Sequence, residues 1–249
     1  MEPIAYQSMS ELEGQHWWFA GRRQILDHAL KCLEQTEPMQ ILEVGCGTGG
    51  NLEMLSAYGQ VCGIEPDPVA RQLSAARGIA EVVDGRLPNE LDFGDRRFDL
   101  LAAFDVLEHL EQDKESLHEL VGLLNPGAKA ILTVPAYPKL WSAHDEVHHH
   151  KRRYTKRGFE SLIEGAGLEI VQLSHFNTLL FLPAALARMA SKMKSPAPGE
   201  SPSMETMPPQ RLNQVLGAIF ASERHLLNHV SLPFGLSLLA VAQRPGSER

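Results

Sequence analysis

Residues 41–52 read Ile-Leu-Glu-Val-Gly-Cys-Gly-Thr-Gly-Gly-Asn-Leu. The apolar run 40–44 has the length and composition of a buried strand. A glycine cluster stops it, and apolar residues resume at helical spacing over 51–58. A strand that enters a helix through glycines opens a βαβ unit. Gly45, Gly47 and Gly50 satisfy the spacing G-x-G-x-x-G, in which glycine lets the backbone turn sharply and a nucleoside pass close by. Taken alone, the pattern denotes either an ordinary tight turn or a seat for a nucleotide-like cofactor.

Working outward, strand and helix signals alternate. Strands are expected at 61–65, 80–83, 98–104 and 130–134, with helices at 68–77 and 114–124 and a turn at Asn125-Pro126-Gly127. This alternation implies parallel strands joined by right-handed crossovers, hence an open, doubly wound α/β sheet. Ligands of such sheets lie at the carboxyl ends of the strands. Further on, a helix is expected at 155–165 and strands at 168–173 and 236–241. Upstream, residues 11–33 carry Trp17, Trp18, Ile25, Leu26, Ala29, Leu30 and Leu33 near helical period, so the first forty residues read as helical. Between the last two strands lie an apolar helical stretch (178–193), a Pro/Ser/Met-rich linker (195–209) and a second amphipathic stretch (212–230). The two helices are expected to cap the sheet edge. One domain is expected over 1–249: a helical cap (1–38), a cofactor-binding core (39–176), a helical insertion with its linker (177–233), then the last strand and tail (234–249).

Composition narrows the function. The chain has 249 residues, 43% of them hydrophobic and 22% charged, as in an ordinary globular domain. A formal net charge of -8 is the wrong sign for a global grip on nucleic acid, and no nucleic-acid partner is expected. Three scattered cysteines form neither a disulfide framework nor a zinc knuckle and fit a reducing compartment. The start of the chain lacks the basic-then-apolar pattern of a signal peptide, and no apolar stretch reaches the ~20 residues of a spanning helix. The expected location is therefore the cytoplasm.

Three acids choose among cofactors. Glu43 ends the first strand just before the glycine turn, where a carboxylate would repel a dinucleotide pyrophosphate. S-adenosylmethionine (SAM) has no phosphate; its sulfonium and α-ammonium are cationic and suit a carboxylate. Glu65 ends the second strand, where an acid can accept from both ribose hydroxyls. Asp84, followed by Gly85, ends the third and could receive the adenine amino group. This constellation is more specific than the glycines.

With these residues in place, the sequence resembles the class I SAM-dependent methyltransferases over residues 40–175. The shared features are Glu-Val-Gly-Cys-Gly-Thr-Gly, the acid of Gly-Ile-Glu-Pro, the Asp-Gly after strand three and Phe-Asp-Val-Leu-Glu-His-Leu after strand four. The resemblance implies a Rossmann-like seven-stranded sheet ordered 3-2-1-4-5-7-6, with the last strand antiparallel. It also implies that Gly45, Gly47 and Gly49 line the methionine portion of SAM, that Glu65 holds the ribose and Asp84 the adenine, and that Asp105, Val106 and Leu107 pass beside the cofactor.

Two further segments are similar to the ubiquinone-pathway O-methyltransferases and their uncharacterised bacterial relatives. In His-Trp-Trp-Phe-Ala-Gly-Arg-Arg (16–23) the resemblance makes Arg22 the partner of the SAM carboxylate; otherwise the aromatics are core anchors and the arginines solvated. Residues 141–155 follow strand five, at the ligand edge. They hold His144, Asp145, His148, His149 and His150, then a basic run of Lys151, Arg152, Arg153, Lys156 and Arg157. A histidine suits proton removal from a hydroxyl near neutral pH, and an aspartate can orient it. His144, Asp145 and His150, which match the relatives, are the catalytic candidates; the alternative is a solvated polar loop. The basic run reads as a solvated helix entry, with an anionic head group as its functional alternative.

Asp105-Val-Leu-Glu108-His109 is similar to an E-x-x-E-H pattern tied to a divalent metal in some of these relatives. Its first position is Asp, and no metal is assigned from the sequence. The spacings His144/His148 and His225/His229 are compatible with zinc on helices but lack a further recognisable ligand. The stretch 175–194, flanked by Arg188, Lys192 and Lys194, either packs on its own domain, the commoner fate, or rests on a membrane surface. The second case would place the chain at the inner face of a membrane and fit a lipophilic acceptor. The expected activity is methyl transfer from SAM to oxygen on a quinol, phenol or lipid intermediate. A non-catalytic SAM-binding regulator is the alternative, and a nicotinamide-dependent oxidoreductase, opposed by Glu43, stands behind it.

Overall fold

The computed structural model describes residues 3–33, 37–182, 207–227 and 229–246. Seven strands form one sheet: β1 (Met39–Val44), β2 (Gly59–Ile64), β3 (Glu81–Val83), β4 (Phe98–Phe104), β5 (Leu124–Pro135), β6 (Glu169–Phe176) and β7 (Ser237–Gln243). Their order is β3-β2-β1-β4-β5-β7-β6, as the resemblance implies. The first five pair in parallel, and β7 runs antiparallel between β5 and β6.

Side chains alternate across this sheet, and helices cover both faces. Leu42, Val44, Leu101, Ala103 and Leu132 point to the face covered by α5 (Asp113–Gly122) and α7 (Lys156–Gly165), through Leu117, Leu120, Phe159 and Ile163. Ile41, Leu100, Ala102, Ile131 and Leu239 point to the other. There α2 (Trp17–Lys31) and α3 (Leu52–Ser56) bring Ile25, Leu26, Leu30, Leu52 and Leu55. Burial of two apolar faces at once explains why β1 and β4 are nearly continuous apolar runs. The remaining helices are α1 (Pro3–Leu12), α4 (Pro68–Ala76), α6 (Ala143–Val147), α8 (Gln210–Ser222) and α9 (Arg224–Leu227).

The structure corrects several expectations. The N-terminal helical region is two helices, α1 and α2, broken around Gly14, because the His16 side chain accepts from the Trp18 N–H and starts a new helix. The turn at Asn125-Pro126-Gly127 is taken up inside β5: the pairing jumps from Phe98↔Leu124 to Leu100↔Lys129, so these residues form a bulge. The 212–230 stretch is two helices; α8 packs on α2 and also reaches the edge strand β6. Its Phe220 is fully buried, meets Trp17 edge-on and stacks on Phe176. Of the 178–193 stretch, residues 183–193 lie outside the described residues, as do Arg188, Lys192, Lys194 and most of the linker.

Candidate active site

The carboxyl ends of β1, β2 and β4 build the cofactor half of the site. Gly45, Gly47 and Gly49 all have positive φ. At Gly45 the requirement is double, since φ is +62° and an added Cβ would lie 2.8 Å from Val106 Cγ2. The glycine turn is thereby pressed against the segment that follows β4. Glu43 is buried, and its Oε1 accepts from Asn51 Nδ2 at 3.0 Å while Oε2 has no partner. Burial pushes its carboxyl up to about 7 despite the hydrogen bond from Asn51. Glu65 turns back over the turn: Oε2 accepts from the Gly47 N–H at 2.8 Å and Oε1 from the Asp67 N–H at 3.0 Å. Burial raises its carboxyl too, offset by those two backbone donors. Asp84, just past β3, is exposed and ion-paired with Arg71 at 3.0 Å. Gly85 sits against Leu91, where an added Cβ would lie 2.7 Å from Cδ2.

These residues fit SAM. An orphaned buried carboxylate oxygen on Glu43 and a second acid across the glycine turn offer acceptors to a cation and to hydroxyls, and offer no donor set for a pyrophosphate. Arg22 and Asp105 are brought together: the buried guanidinium donates to Asp105 and lies 4.5 Å from the Trp18 ring centroid. Asp105 adopts φ +57° as it leaves β4. Arg22 thus reaches the cofactor half already paired with a second candidate residue.

Helix α1 adds contacts that the sequence reading passed over. Glu13, just beyond its end, accepts from Thr48 Oγ1 at 2.7 Å and pairs with Arg77. Met9 Cε lies 3.4 Å from where a Cβ on Gly47 would sit. Tyr6 faces Glu65 and Asp67, and burial with those acids raises its phenol to about 12. An acid seven positions after an aromatic near the start of the chain carries no recognisable motif; only the tertiary packing reveals these contacts.

The candidate acceptor half comes from the short helix Leu107–His109 and from the loop after β5. The Lys151 N–H donates to the Glu108 carbonyl at 2.7 Å, which ties the two segments together. His150 Nδ1 lies 2.9 Å from Asp145 Oδ1, so Asp145 does orient an imidazole, and it is that of His150. Asp145 is fully buried; it also accepts from Arg153 Nε at 2.7 Å and from the Ser142 N–H at 2.9 Å. Burial opposes its ionisation, yet His150 and Arg153 outweigh this and hold the carboxyl well below the usual range. Asp145 thereby fixes the orientation of the His150 ring. The rings of His144 and His148 lie 4.3 Å apart, with centroids 6.1 and 6.0 Å from that of His150. His109 meets His150 edge-on at 4.7 Å; burial and the surrounding imidazoles lower it to about 3. Glu108 is fully buried with neither oxygen hydrogen-bonded, and burial with the nearby Asp105 charge drives its carboxyl well up.

The basic run is not a solvated helix entry throughout. Arg153 is buried on Asp145, while Arg152 pairs with Asp113 at 2.8 Å and Lys151 with Glu111 at 3.5 Å. Arg153 alone is taken inside the fold; Lys151 and Arg157 stay exposed, as a solvated helix entry would have them. Among the described residues, no helix is long and apolar enough to cross a membrane.

Comparison with known proteins agrees with this architecture. Residues 17–173 match the family described as a methyltransferase domain. A stretch of 122 residues is 32% identical to the chloroplastic tocopherol O-methyltransferase of Arabidopsis thaliana, covering 46% of this chain and 35% of that protein. Another of 114 residues is 30% identical to the ubiquinone biosynthesis O-methyltransferase of Alkalilimnicola ehrlichii, covering 43% and 46%. The ajmaline N-methyltransferase of Rauvolfia serpentina is 31% identical over 121 residues, covering 43% and 42%. The chain spans about half or less of the length of the curated relatives it matches. Among solved structures, a chain from the complex between the Haloferax volcanii Trm112 methyltransferase activator and a methyltransferase superposes with a TM-score of 0.62 at 20% identity, covering 99% of this chain and 96% of that one. A SAM-dependent methyltransferase of Thermotoga maritima gives 0.57 at 16% identity, covering 96% and 99%. By the extent of the family match and by the order of its seven strands, the chain belongs to the methyltransferase-domain family and has the Rossmann-like fold of the SAM-dependent methyltransferases.

Proposed function

We propose that this chain transfers the methyl group of SAM to an oxygen of a small lipophilic acceptor, a quinol, phenol or lipid intermediate. The observation that carries the reading is the Asp145–His150 pair, fastened beside the segment that leaves β4 and faces the glycine turn. When bound, the cofactor supplies a methyl on cationic sulfur, already a good electrophile. The chain's own work is to align the partners and exclude water. Glu43 and Glu65 would hold the cationic and ribose ends, and Arg22, locked by Asp105 and Trp18, would close over them. His150 is the group of the loop that meets the acceptor hydroxyl, with Asp145 fixing its ring. The tocopherol and ubiquinone O-methyltransferases among the relatives support oxygen as the acceptor atom.

The test has two parts. Calorimetry with SAM and S-adenosylhomocysteine should show binding by the wild type and binding about 100-fold weaker by Glu65→Ala, the effect of losing two charge-assisted hydrogen bonds. Incubation with labelled SAM and a panel of catechols, phenols and short-chain quinols should then yield a methyl ether detectable by mass spectrometry. Absence of SAM binding by the wild type would overturn the reading and direct attention to nicotinamide cofactors. Binding with no transfer to any acceptor would favour a SAM-sensing regulator.

A further inference from the structure

We infer that Glu13 and Arg77 form a latch that fastens helix α1 across the glycine turn, and that the latched helix lends Tyr6 and Met9 to the SAM seat. The inference rests on SAM as the cofactor and adds residues that neither the sequence motifs nor the resemblance names.

Periodicity puts the three α1 residues together. Tyr6, Met9 and Glu13 stand at i, i+3 and i+7, which is one face of a helix. The Glu13 N–H still donates to the Met9 carbonyl at 2.8 Å, so Glu13 keeps its helical position although it lies just beyond the end of α1. Each of the three meets the cofactor half. Tyr6 stands beside the Glu65 and Asp67 carboxylates that follow β2. Met9 lies against Gly47, whose N–H donates to Glu65 Oε2. Glu13 is buried and reaches Thr48 inside the turn.

The latch has two arms. From α1, the Glu13 carboxylate accepts from Thr48 Oγ1 at 2.7 Å. From the end of α4, the Arg77 guanidinium donates through Nε to the Thr48 carbonyl at 2.6 Å and through Nη2 to Glu13. Thr48 is thus gripped at its side chain by one arm and at its backbone by the other, and it is fully buried. The next two residues make room for the arms. An added Cβ on Gly49 would lie 2.9 Å from Arg77 Cδ, and one on Gly50 would run into the Glu13 carboxylate. Gly50, the last glycine of G-x-G-x-x-G, therefore leaves space for the latch. Helix α1 itself packs on α4 and, among the described residues, gives none to either apolar core. A helix held by a polar clasp at the cofactor seat can leave without unfolding the sheet. What it would take with it is one wall of that seat: the phenol beside the ribose acid and the thioether beside the glycine turn.

The probe is S-adenosylhomocysteine on the full chain, followed by calorimetry and by backbone hydrogen exchange. In the wild type, its binding should slow exchange of the amides of residues 6–13 several-fold. Met9→Ala and Arg77→Ala should each bind it about 10-fold more weakly, with ligand-free melting temperatures close to that of the wild type. Arg77→Lys has one nitrogen to offer two partners and should fall between Arg77→Ala and the wild type. The deciding variant combines Met9→Ala with Arg77→Ala. A helix already unlatched has no Met9 contact left to lose, so the two losses should not add. Additive losses would assign Arg77 to the turn alone and overturn the latch. Unchanged exchange over 6–13 with S-adenosylhomocysteine bound, or wild-type affinity in both Tyr6→Ala and Met9→Ala, overturns the part given to α1. Should Arg77→Ala fail to fold, Glu13→Ala takes its place in the cycle. A wild type that does not bind S-adenosylhomocysteine at all defeats the methyltransferase reading and the inference with it, a failure distinct from the others.

Discussion

Two regions of the site, the acids that end β1 and β2 and the Asp145 centre after β5, hold their charges differently. On the cofactor side, Glu43 and Glu65 are bonded to one local side chain and two backbone N–H groups, without a direct ion pair. On the acceptor side, Asp145 is clasped by a histidine and an arginine from the segment that follows it. Buried acids without a counter-ion are costly in the empty protein and give that energy back when a cation arrives. A buried acid that carries its own cation is costly only when the pair is broken. Glu43 and Glu65 are therefore set up to respond to a ligand, and the Asp145–Arg153 centre is set up to stay in place.

Breaking the acceptor-side pair should have the largest effect. Arg153→Leu strands the buried Asp145 carboxylate and should destabilise the fold by about 3–5 kcal/mol, read as a shift of the urea midpoint at unchanged slope. A loss under 1 kcal/mol would mean that His150 and Ser142 hold the carboxylate unaided, and the contrast between the halves would blur.

The cofactor side should show itself through pH. The Glu43 carboxyl stands near 7 in the native protein against about 4.5 normally. Below pH 4.5 it is protonated folded or unfolded. Between 4.5 and 7 the unfolded chain gives up the proton while the native one keeps it, so stability falls as pH rises. Above 7 both forms are ionised and the loss levels off at about 3 kcal/mol. Stability measured from pH 4.5 to 7.5 should lose this component in Glu43→Gln, and saturating SAM should flatten it in the wild type. A slope that survives Glu43→Gln would assign it to other groups.

The smallest effect tests the seam between the halves. Gly45→Ala forces a side chain into left-handed backbone and against Val106, at about 1–2 kcal/mol for the backbone alone. Val106→Ala in the same chain should recover the contact part and leave the backbone part. Full recovery would show that crowding, and not φ, is what requires glycine.

Much of the cofactor half was legible because it is local. A strand, a glycine turn and the acids at strand ends follow one another along the chain, and the sheet order is what the family resemblance carried by these motifs implies. The failures share a cause. Nothing in residues 1–33 marks Tyr6, Met9 or Glu13 as neighbours of the glycine turn, because α1 reaches it by packing across the fold. Arg153 reads as one charge in an exposed run, yet a partner eight residues earlier draws it inside. The Asn-Pro-Gly turn is absorbed as a bulge, since β4 pairs with β5 on both sides of it, at Leu124 and again from Lys129. His150 could be nominated by its neighbours in sequence, but Asp145 and His150 pair with each other only because the loop folds back after α6.

Gly21 has a consequence for protein engineering. An added Cβ there would lie 2.7 Å from the Phe220 ring, so α2 and α8 touch without room for a side chain. The next residue, Arg22, is the one that reaches Asp105. A chimera that exchanges the region between β6 and β7 for a relative's would disturb the arginine that pairs with Asp105 as well. Such grafts should carry α2 and α8 together as one cassette.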